Sequence, residues 1–178
     1  MKKTSRSLAL LCCLCLPSQA FAYDGVALEL GTGDSIDMVR AAYQWDWNKQ
    51  WLNVGNWHVG GYWDAALGYW RGDDTPGSHR NIVDIGLTPV FRFQQTQKSG
   101  ISPYLEAAIG FHLLSHTSIS DQQLATAFQF GDHLGIGMRF GEKHRYDLAF
   151  RYQHLSNASI KQPNDGVSFG QVRFGYWF

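Results

Sequence analysis

The chain has 178 residues with 15 basic and 15 acidic side chains, and 15% of its residues are aromatic. This length fits one domain, and the balanced charge gives no reason to expect nucleic acid as a partner. All three cysteines lie between positions 12 and 15. Beyond position 15 there is therefore no thiol with which to form a disulfide or bind a metal ion.

The first 22 residues have the pattern of a removable secretory signal. A basic start and the apolar run 8–16 precede the sequence Ala20-Phe21-Ala22, so we expect cleavage after Ala22. The apolar run is too short to cross a bilayer as a helix. Cleavage would leave residues 23–178 as a single domain with twelve basic and 15 acidic side chains, a formal charge of −3.

Eight segments with alternating apolar and polar residues follow the expected signal. In chain order they cover about 24–31, 38–47, 57–71, 81–93, 103–114, 126–140, 145–157 and 167–178, separated by clusters of Gly, Asp, Asn, Ser or Pro. A period of two residues predicts strands rather than helices. After position 22 no run of eighteen apolar residues occurs, so the sequence predicts no transmembrane helix.

The two faces of these segments indicate what kind of β protein they form. One face is apolar throughout, whereas the other mixes glycines with charges of both signs: Arg40, Asp46, Asp64, Asp84, Arg92, Glu106, Arg139, Asp147, Arg151 and Arg173. A polar interior inside an apolar outer band is typical of a transmembrane barrel. We therefore predict an eight-stranded antiparallel β-barrel that spans the outer membrane several times. A secreted barrel with an apolar interior, as in lipocalins, is the alternative.

The lengths of the connections predict which end of the barrel faces outward. Outer-membrane barrels have short periplasmic turns and longer extracellular loops. The short connection 141–144 is then periplasmic, and the longer connections 72–80, 115–125 and 158–166 are extracellular. The connection 48–56 is longer than this rule expects.

Two polar residues, His154 and Ser156, continue the outward face of the seventh segment. They would lie near the extracellular rim, where polar groups lose water contacts. Either they mark the interface, or the imidazole is a base that activates the serine hydroxyl as a nucleophile. Residues i and i+2 of a strand lie on the same face, roughly 6–7 Å apart at Cα, so the imidazole can lean along the strand to the hydroxyl.

The residues around this pair resemble a known family. The sequence Gln153-His154-Leu155-Ser156-Asn157-Ala158, followed by Ile160-Lys161-Gln162-Pro163-Asn164-Asp165-Gly166, closely resembles the outer-membrane lipid A 3-O-deacylase family (PagL). The resemblance implies that His154 is the base, Ser156 the nucleophile, Asn157 a residue needed for activity and Asn164 a candidate for oxyanion stabilisation.

The same resemblance implies the reaction and the partners. It implies an esterase without a cofactor that removes an ester-linked 3-hydroxyacyl chain from the 3-position of lipid A, the membrane anchor of lipopolysaccharide, in the outer leaflet. The alternatives are a non-catalytic barrel, with a structural, adhesion or small-channel role, and a barrel that transfers palmitoyl chains to lipid A. An eight-stranded barrel is filled by its own side chains, which argues against a channel. A homodimer is possible.

The residue that would orient the imidazole is left open. The family usually has an acid twelve residues after the serine, and this position is Ser168 here. Asp165 is one alternative, although an Asn-Asp-Gly turn also explains it. Asp132 is the other, because it interrupts the outward face of the sixth segment. If paired residue numbers of the sixth and seventh segments sum to 286, Asp132 lies opposite His154. With neither acid, the pair would act as a dyad.

The remaining histidines show no spacing typical of metal ligands, and we expect no metal site: His58, His79, His112, His116, His133 and His144. By alternation, His58, His112 and His133 face the barrel interior, where a structural hydrogen-bonding role is the interpretation we favour.

Overall fold

The structure is a computed structural model that describes residues 23–96 and 100–178. Its strands are β1 (Gly25–Gly33), β2 (Ile36–Asp46), β3 (Trp51–Val54), β4 (Trp57–Gly72), β5 (Asn81–Gln95), β6 (Ser102–Leu114), β7 (Ser118–Ile119), β8 (Gln122–Gln123), β9 (Phe128–Phe140), β10 (Tyr146–Ser156) and β11 (Val167–Trp177). The expected signal, residues 1–22, lies outside the described residues.

Eight of these strands form a closed antiparallel barrel. The order is β2-β1-β11-β10-β9-β6-β5-β4, and β2 pairs with β4 to close the ring. The eight predicted segments agree with these strands to within two residues at each boundary. Period-two alternation therefore predicted the barrel strands correctly. Within the described ranges, no helix is long and apolar enough to cross a membrane.

The two short hairpins lie outside the barrel ring. β3 pairs with the start of β4, within the connection that was longer than the turn rule expects. β7 and β8 pair with each other in the connection 115–127. The barrel end with the connections 34–35, 73–80, 115–127 and 157–166 is called the long-loop end below. By the loop-length rule this end is extracellular.

The barrel interior holds the predicted mixed charges as a network of ion pairs. Arg151 donates hydrogen bonds to Glu106, to Glu29 at 2.8 Å and to the Tyr62 hydroxyl at 2.8 Å. Arg92 likewise donates to Glu106, at 2.8 Å, and to Asp147. Because a buried charge is tolerated only when it is paired, this network explains how so many ionised groups occupy one small interior.

An apolar cluster fills the interior at the long-loop end, above the ion pairs. It is called the apolar plug here and consists of Ile36, Met38, Trp70, Ile82, Leu114, Ile119, Leu124, Leu155, Val167 and Phe169. Sequence alternation did not predict it, because its members on barrel strands occupy inward positions that are otherwise polar, and Ile119 and Leu124 belong to the connection 115–127. Leu155, Val167 and Phe169 belong to the ends of β10 and β11, so the plug holds these two strand ends from inside.

The outer wall is apolar and exposed along the whole barrel. Leu28, Leu67, Ile109, Leu134, Ile136, Phe150 and Val172 point away from the interior. In water such a surface would be unstable, whereas lipid tails solvate it. The wall therefore fits a membrane barrel, and the lipocalin-like alternative, which needs an apolar interior and a polar exterior, does not fit.

Candidate active site

The candidate site lies on the outer wall where β10 reaches the long-loop end. His154 and Ser156 are half-buried and outward-facing, and Leu155 between them is fully buried in the apolar plug. Successive residues of a strand point to opposite faces. Burial of Leu155 on the inside therefore requires that its two neighbours face the lipid side.

The strand register gives His154 one polar neighbour on each side. It pairs with Asp132 on β9 and with Ser168 on β11. The predicted register with a sum of 286 is thus confirmed, and the two neighbours occupy equivalent positions on the two adjacent strands. The imidazole uses only one of them, because its Nδ1 lies 3.0 Å from the Ser168 hydroxyl oxygen. Among the described residues no hydrogen bond joins Asp132 to His154.

Gly166 lies against the Cε1–Nε2 edge of the same imidazole. A Cβ atom at this position would meet Cε1 of His154 at 2.6 Å and Nε2 at 3.0 Å, and the backbone has φ +75°. The ladder between β10 and β11 ends at Leu155 and Val167, so the next residues across it are Ser156 and Gly166. The Nε2 edge of the ring therefore points towards the level of Ser156.

Ser156 completes the outward face of β10. It pairs with Phe130 on β9, and among the described residues no hydrogen bond joins its hydroxyl to His154. The hydroxyl is half-buried at the rim. Because this hydrogen bond is not formed, one of the two side chains must rotate before Nε2 can accept the serine proton. Catalytic hydrogen bonds often tighten only when substrate is bound.

Asn157 is the anchor of the loop that follows Ser156, residues 157–166, called the site loop here. Its side-chain amide nitrogen donates to the carbonyls of Leu124 and Lys161, both at 2.9 Å. Its backbone N–H donates to Oδ1 of Asn164 at 2.9 Å. Asn157 is 1% exposed, and its hydrogen bonds hold the site loop against the connection 115–127, which contains β7 and β8.

The side-chain NH₂ group of Asn164 remains available as a hydrogen-bond donor. Its Oδ1 accepts the Asn157 N–H, and Nδ2 has no hydrogen bond to another described residue. The half-buried amide follows Ser156 by eight residues, yet the loop brings it to the backbone N–H of the residue next to Ser156. An NH₂ group fixed by its own oxygen is a suitable donor for a developing negative charge.

Asp165 contacts the β7–β8 hairpin. Its Oδ2 accepts the N–H of Gln123 at 2.7 Å, and its own N–H donates to the Gln123 carbonyl at 3.0 Å. Within the described chain its carboxylate makes no hydrogen bond to His154. Of the two aspartates considered from the sequence, only Asp132 is in register with the imidazole.

The sequence singled out most of these residues but missed two. Gly166 was included only as part of the family-like stretch, although its position after Asp165 in an Asn-Asp-Gly turn signals a positive φ. Asp34, which accepts the Ser168 N–H at 2.6 Å, carries no signal in the sequence because it lies at the opposite end of the chain. In the described part of the protein, no group of three or more His, Cys, Asp or Glu side chains could hold a metal ion.

The barrel is closed, its outer wall is apolar, and a cluster of polar groups lies at its lipid-facing rim. These features define the class: an outer-membrane β-barrel protein whose site opens to the membrane. Comparison with known proteins identifies the family within this class. The family Lipid A 3-O-deacylase (PagL) matches residues 37–177, and the chain belongs to this family. The expected resemblance is thus confirmed, and so is the expectation of an enzyme rather than a non-catalytic barrel.

Two relatives and one solved structure support this membership. The chain is 36% identical to "Lipid A deacylase PagL" of Pseudomonas aeruginosa over 151 residues, which cover 84% of this chain and 83% of that protein. It is 34% identical to "Lipid A deacylase PagL" of Bordetella bronchiseptica over 165 residues, 86% and 83% of the two chains. The crystal structure of the outer membrane enzyme PagL superimposes with a TM-score of 0.79 at 32% identity, covering 86% of this chain and 99% of the other.

Proposed function

We propose that this protein hydrolyses the ester that joins a 3-hydroxyacyl chain to the 3-position of lipid A, with Ser156 as nucleophile and His154 as base. The observation that carries the proposal is the half-buried His–Ser pair on the lipid-facing rim of a barrel of this family. Two relatives are named lipid A deacylases. An ester at headgroup depth in the outer leaflet would meet Ser156 without leaving the membrane.

The wall beneath the pair supports a lipid substrate. Tyr152 and Phe150 continue the outward face of β10 towards the membrane centre, with Leu134 and Ile136 beside them on β9, and all four are exposed. Acyl chains would lie along this wall while the sugar and its phosphates stay at the rim. A water-soluble ester has no long acyl chains to pack against this wall. The wall therefore favours a lipid as the substrate class.

The first half of the reaction is an acyl transfer to the enzyme. Nε2 of His154 takes the Ser156 proton while the serine oxygen attacks the ester carbonyl carbon. The tetrahedral intermediate then breaks its bond to the sugar oxygen, which leaves with the proton from Nε2. In the second half, water gives its proton to Nε2 and attacks the acyl-serine. Its collapse releases a free 3-hydroxy fatty acid and returns the proton to Ser156.

Two amides support the oxyanion of the tetrahedral intermediate in different ways. In many serine hydrolases a backbone N–H near the nucleophile is an oxyanion donor, but the N–H of Asn157 is already bound to Asn164. The Nδ2 group of Asn164 is therefore our candidate donor. Asn157 contributes by holding Asn164 and the site loop in place, which accounts for a requirement for Asn157 without direct contact with substrate.

Asp132 is proposed as the charge that stabilises the imidazolium. A carboxylate directly across a strand pair has its Cβ about 4.5–5.5 Å from that of its partner. An unpaired carboxylate on the lipid face of a barrel is otherwise unfavourable. Attraction across this distance favours the protonated imidazole that forms during each half-reaction. One chain supplies every group in this scheme, so a homodimer is not needed.

Mass spectrometry of lipid A from cells with and without the protein tests the reaction. We expect loss of one 3-hydroxyacyl mass from lipid A and its appearance as free fatty acid. Ser156→Ala and His154→Ala should fold into heat-modifiable barrels and lose this activity by several orders of magnitude, while the neighbouring loop variant Ser159→Ala keeps it. Unchanged lipid A, a gain of a palmitoyl mass, or an active and folded Ser156→Ala variant would each contradict the proposal.

A further inference from the structure

Where a catalytic triad would place a carboxylate against the imidazole, this site places the hydroxyl of Ser168. Ser168 Oγ lies 3.0 Å from Nδ1 of His154. Asp132 has an equivalent place in the register on the other side, yet among the described residues no hydrogen bond joins it to the ring. The choice between two equivalent neighbours indicates that the contact with the hydroxyl is specific.

Ser168 is itself held rigidly from three directions. Its backbone N–H donates to Oδ2 of Asp34 at 2.6 Å. Its neighbours Val167 and Phe169 are fully buried in the apolar plug. At Gly33, the residue before Asp34, a Cβ atom would collide with the Ser168 carbonyl oxygen, so the two backbones are in close contact. The hydroxyl is therefore presented to the imidazole from a backbone that has little freedom to move.

Asp34 owes its position to a tight turn. Asp34 and Ser35 form the connection between β1 and β2, and both have positive φ, 51° and 58°. Two such residues fit the hairpin turn whose twist matches that of the strands it joins. The turn sets the Asp34 carboxylate over the start of β11, where it accepts the Ser168 N–H.

We propose that Ser168 is the positioning residue of His154, and that Asp34 acts through Ser168 by holding its backbone. This inference rests on the proposed function and deepens it. When Nδ1–H donates to the Ser168 hydroxyl, the imidazole is the tautomer whose Nε2 is free to accept the Ser156 proton. In this state the hydroxyl accepts the Nδ1 proton and fixes the ring, but it adds no charge to stabilise the imidazolium. In a triad one carboxylate both orients the imidazole and stabilises the imidazolium. Here Ser168 orients the ring, and Asp132 supplies the charge.

The test compares two variants of Ser168 that are isosteric with each other, in the full-length, refolded barrel. Ser168→Thr keeps a hydroxyl and Ser168→Val has the same shape without one; both suit a strand. Two rates are measured: labelling of Ser156 by a fluorophosphonate, which reports nucleophile activation without lipid A, and kcat and KM for lipid A deacylation. We expect Ser168→Val to lower the labelling rate and kcat by about tenfold or more with KM little changed, and Ser168→Thr to recover most of the loss.

A double-mutant cycle tests Asp34. Asp34→Ala should lower the labelling rate by less than Ser168→Val does, and should have no further effect in the Ser168→Val background, since it acts through the hydroxyl. Equal rates for Ser168→Val and Ser168→Thr, or additive effects of the two sites, would overturn the inference. If labelling of Ser156 depends on the hydroxyl at position 168 but lipid A is not deacylated, the positioning role of Ser168 is supported and lipid A is refuted as the substrate. A folded wild-type barrel that is not labelled at Ser156 would refute both.

Discussion

The backbone N–H of Asn157 donates to Oδ1 of Asn164 at 2.9 Å, and the Asn157 side chain is bound to Leu124 and Lys161. The donor that directly follows the proposed nucleophile is therefore engaged within the protein. Under the proposed mechanism, we therefore expect an oxyanion at Ser156 to depend on the side-chain Nδ2 of Asn164.

Asn164→Asp tests this dependence. The variant keeps an oxygen to accept the Asn157 N–H but replaces the Nδ2 donor with a negatively charged oxygen. We expect kcat to fall by about 10²–10³-fold, as for loss of an oxyanion donor, with the barrel as stable as the wild type. Steady-state deacylation of lipid A in detergent measures the effect, and thermal unfolding is the control. A variant with unchanged kcat would exclude Asn164 as the donor.

Gly166→Ala tests the close packing against His154. A methyl group here would lie 2.6 Å from Cε1 of the imidazole, and a non-glycine residue at positive φ costs about 1–2 kcal/mol. Because displacement of a catalytic group by 1 Å costs up to about a hundredfold, we expect kcat to fall by about ten- to hundredfold. Gly170→Ala is the matched control on β11, since its Cβ would lie 3.9 Å from the nearest atom. Equal activity of both variants would mean that the ring does not need its present position.

Asp165→Asn distinguishes a hairpin anchor from a catalytic acid. The amide oxygen can still accept the Gln123 N–H, so the contact between the site loop and the β7–β8 hairpin should survive. We expect this variant to retain its deacylation rate, whereas Asp165→Ala, which removes the acceptor, should be less active. If Asp165→Asn is as impaired as His154→Ala, the catalytic acid lies in the loop and Asp132 loses its proposed role.

Asp132→Asn tests the proposed charge opposite His154. The substitution removes the charge and keeps the shape, so the imidazolium loses an electrostatic partner but no hydrogen bond. We expect a fall in kcat of about tenfold, well short of the roughly 10⁴-fold loss that follows from altering a directly hydrogen-bonded carboxylate. Thermal stability should stay the same or rise, because a charge is removed from the lipid face. Full activity would leave the enzyme with a Ser–His dyad oriented by Ser168 alone.

Arg151→Gln tests whether the interior ion pairs maintain the fold. Arg151 contacts Glu29, Glu106 and Tyr62, and its loss leaves buried carboxylates with fewer partners. Removing one member of a buried ion pair costs about 3–5 kcal/mol, so we expect the heat-modifiable shift on gels to occur at a clearly lower temperature. Arg71→Gln, an exposed arginine on β4, is the control and should unfold like the wild type. Similar unfolding of both variants would mean that the network contributes specificity rather than stability.

The sequence alone determined the strands, their faces and the register at the site. Side chains alternate strictly along a strand, so His154 and Ser156 had to share the outer face with Tyr152, and a tight turn between β9 and β10 set Asp132 opposite His154. The lumen charges were predicted for the same reason. The apolar plug was not, because alternation assigns a residue to a face but not to a depth along the barrel.

Only the tertiary structure decided how the site is supported. Strand alternation gives His154 two equivalent neighbours, Asp132 and Ser168, and no period in the sequence says which of them the ring contacts. In the structure Nδ1 of His154 lies 3.0 Å from the Ser168 hydroxyl oxygen. Loop residues have no period at all, so the roles of Asn157, Asn164 and Asp165 were decided by which connections meet in space. The contact of Asp34 with Ser168 joins residues 134 positions apart, and it exists because closure of the barrel brings the first strand beside the last.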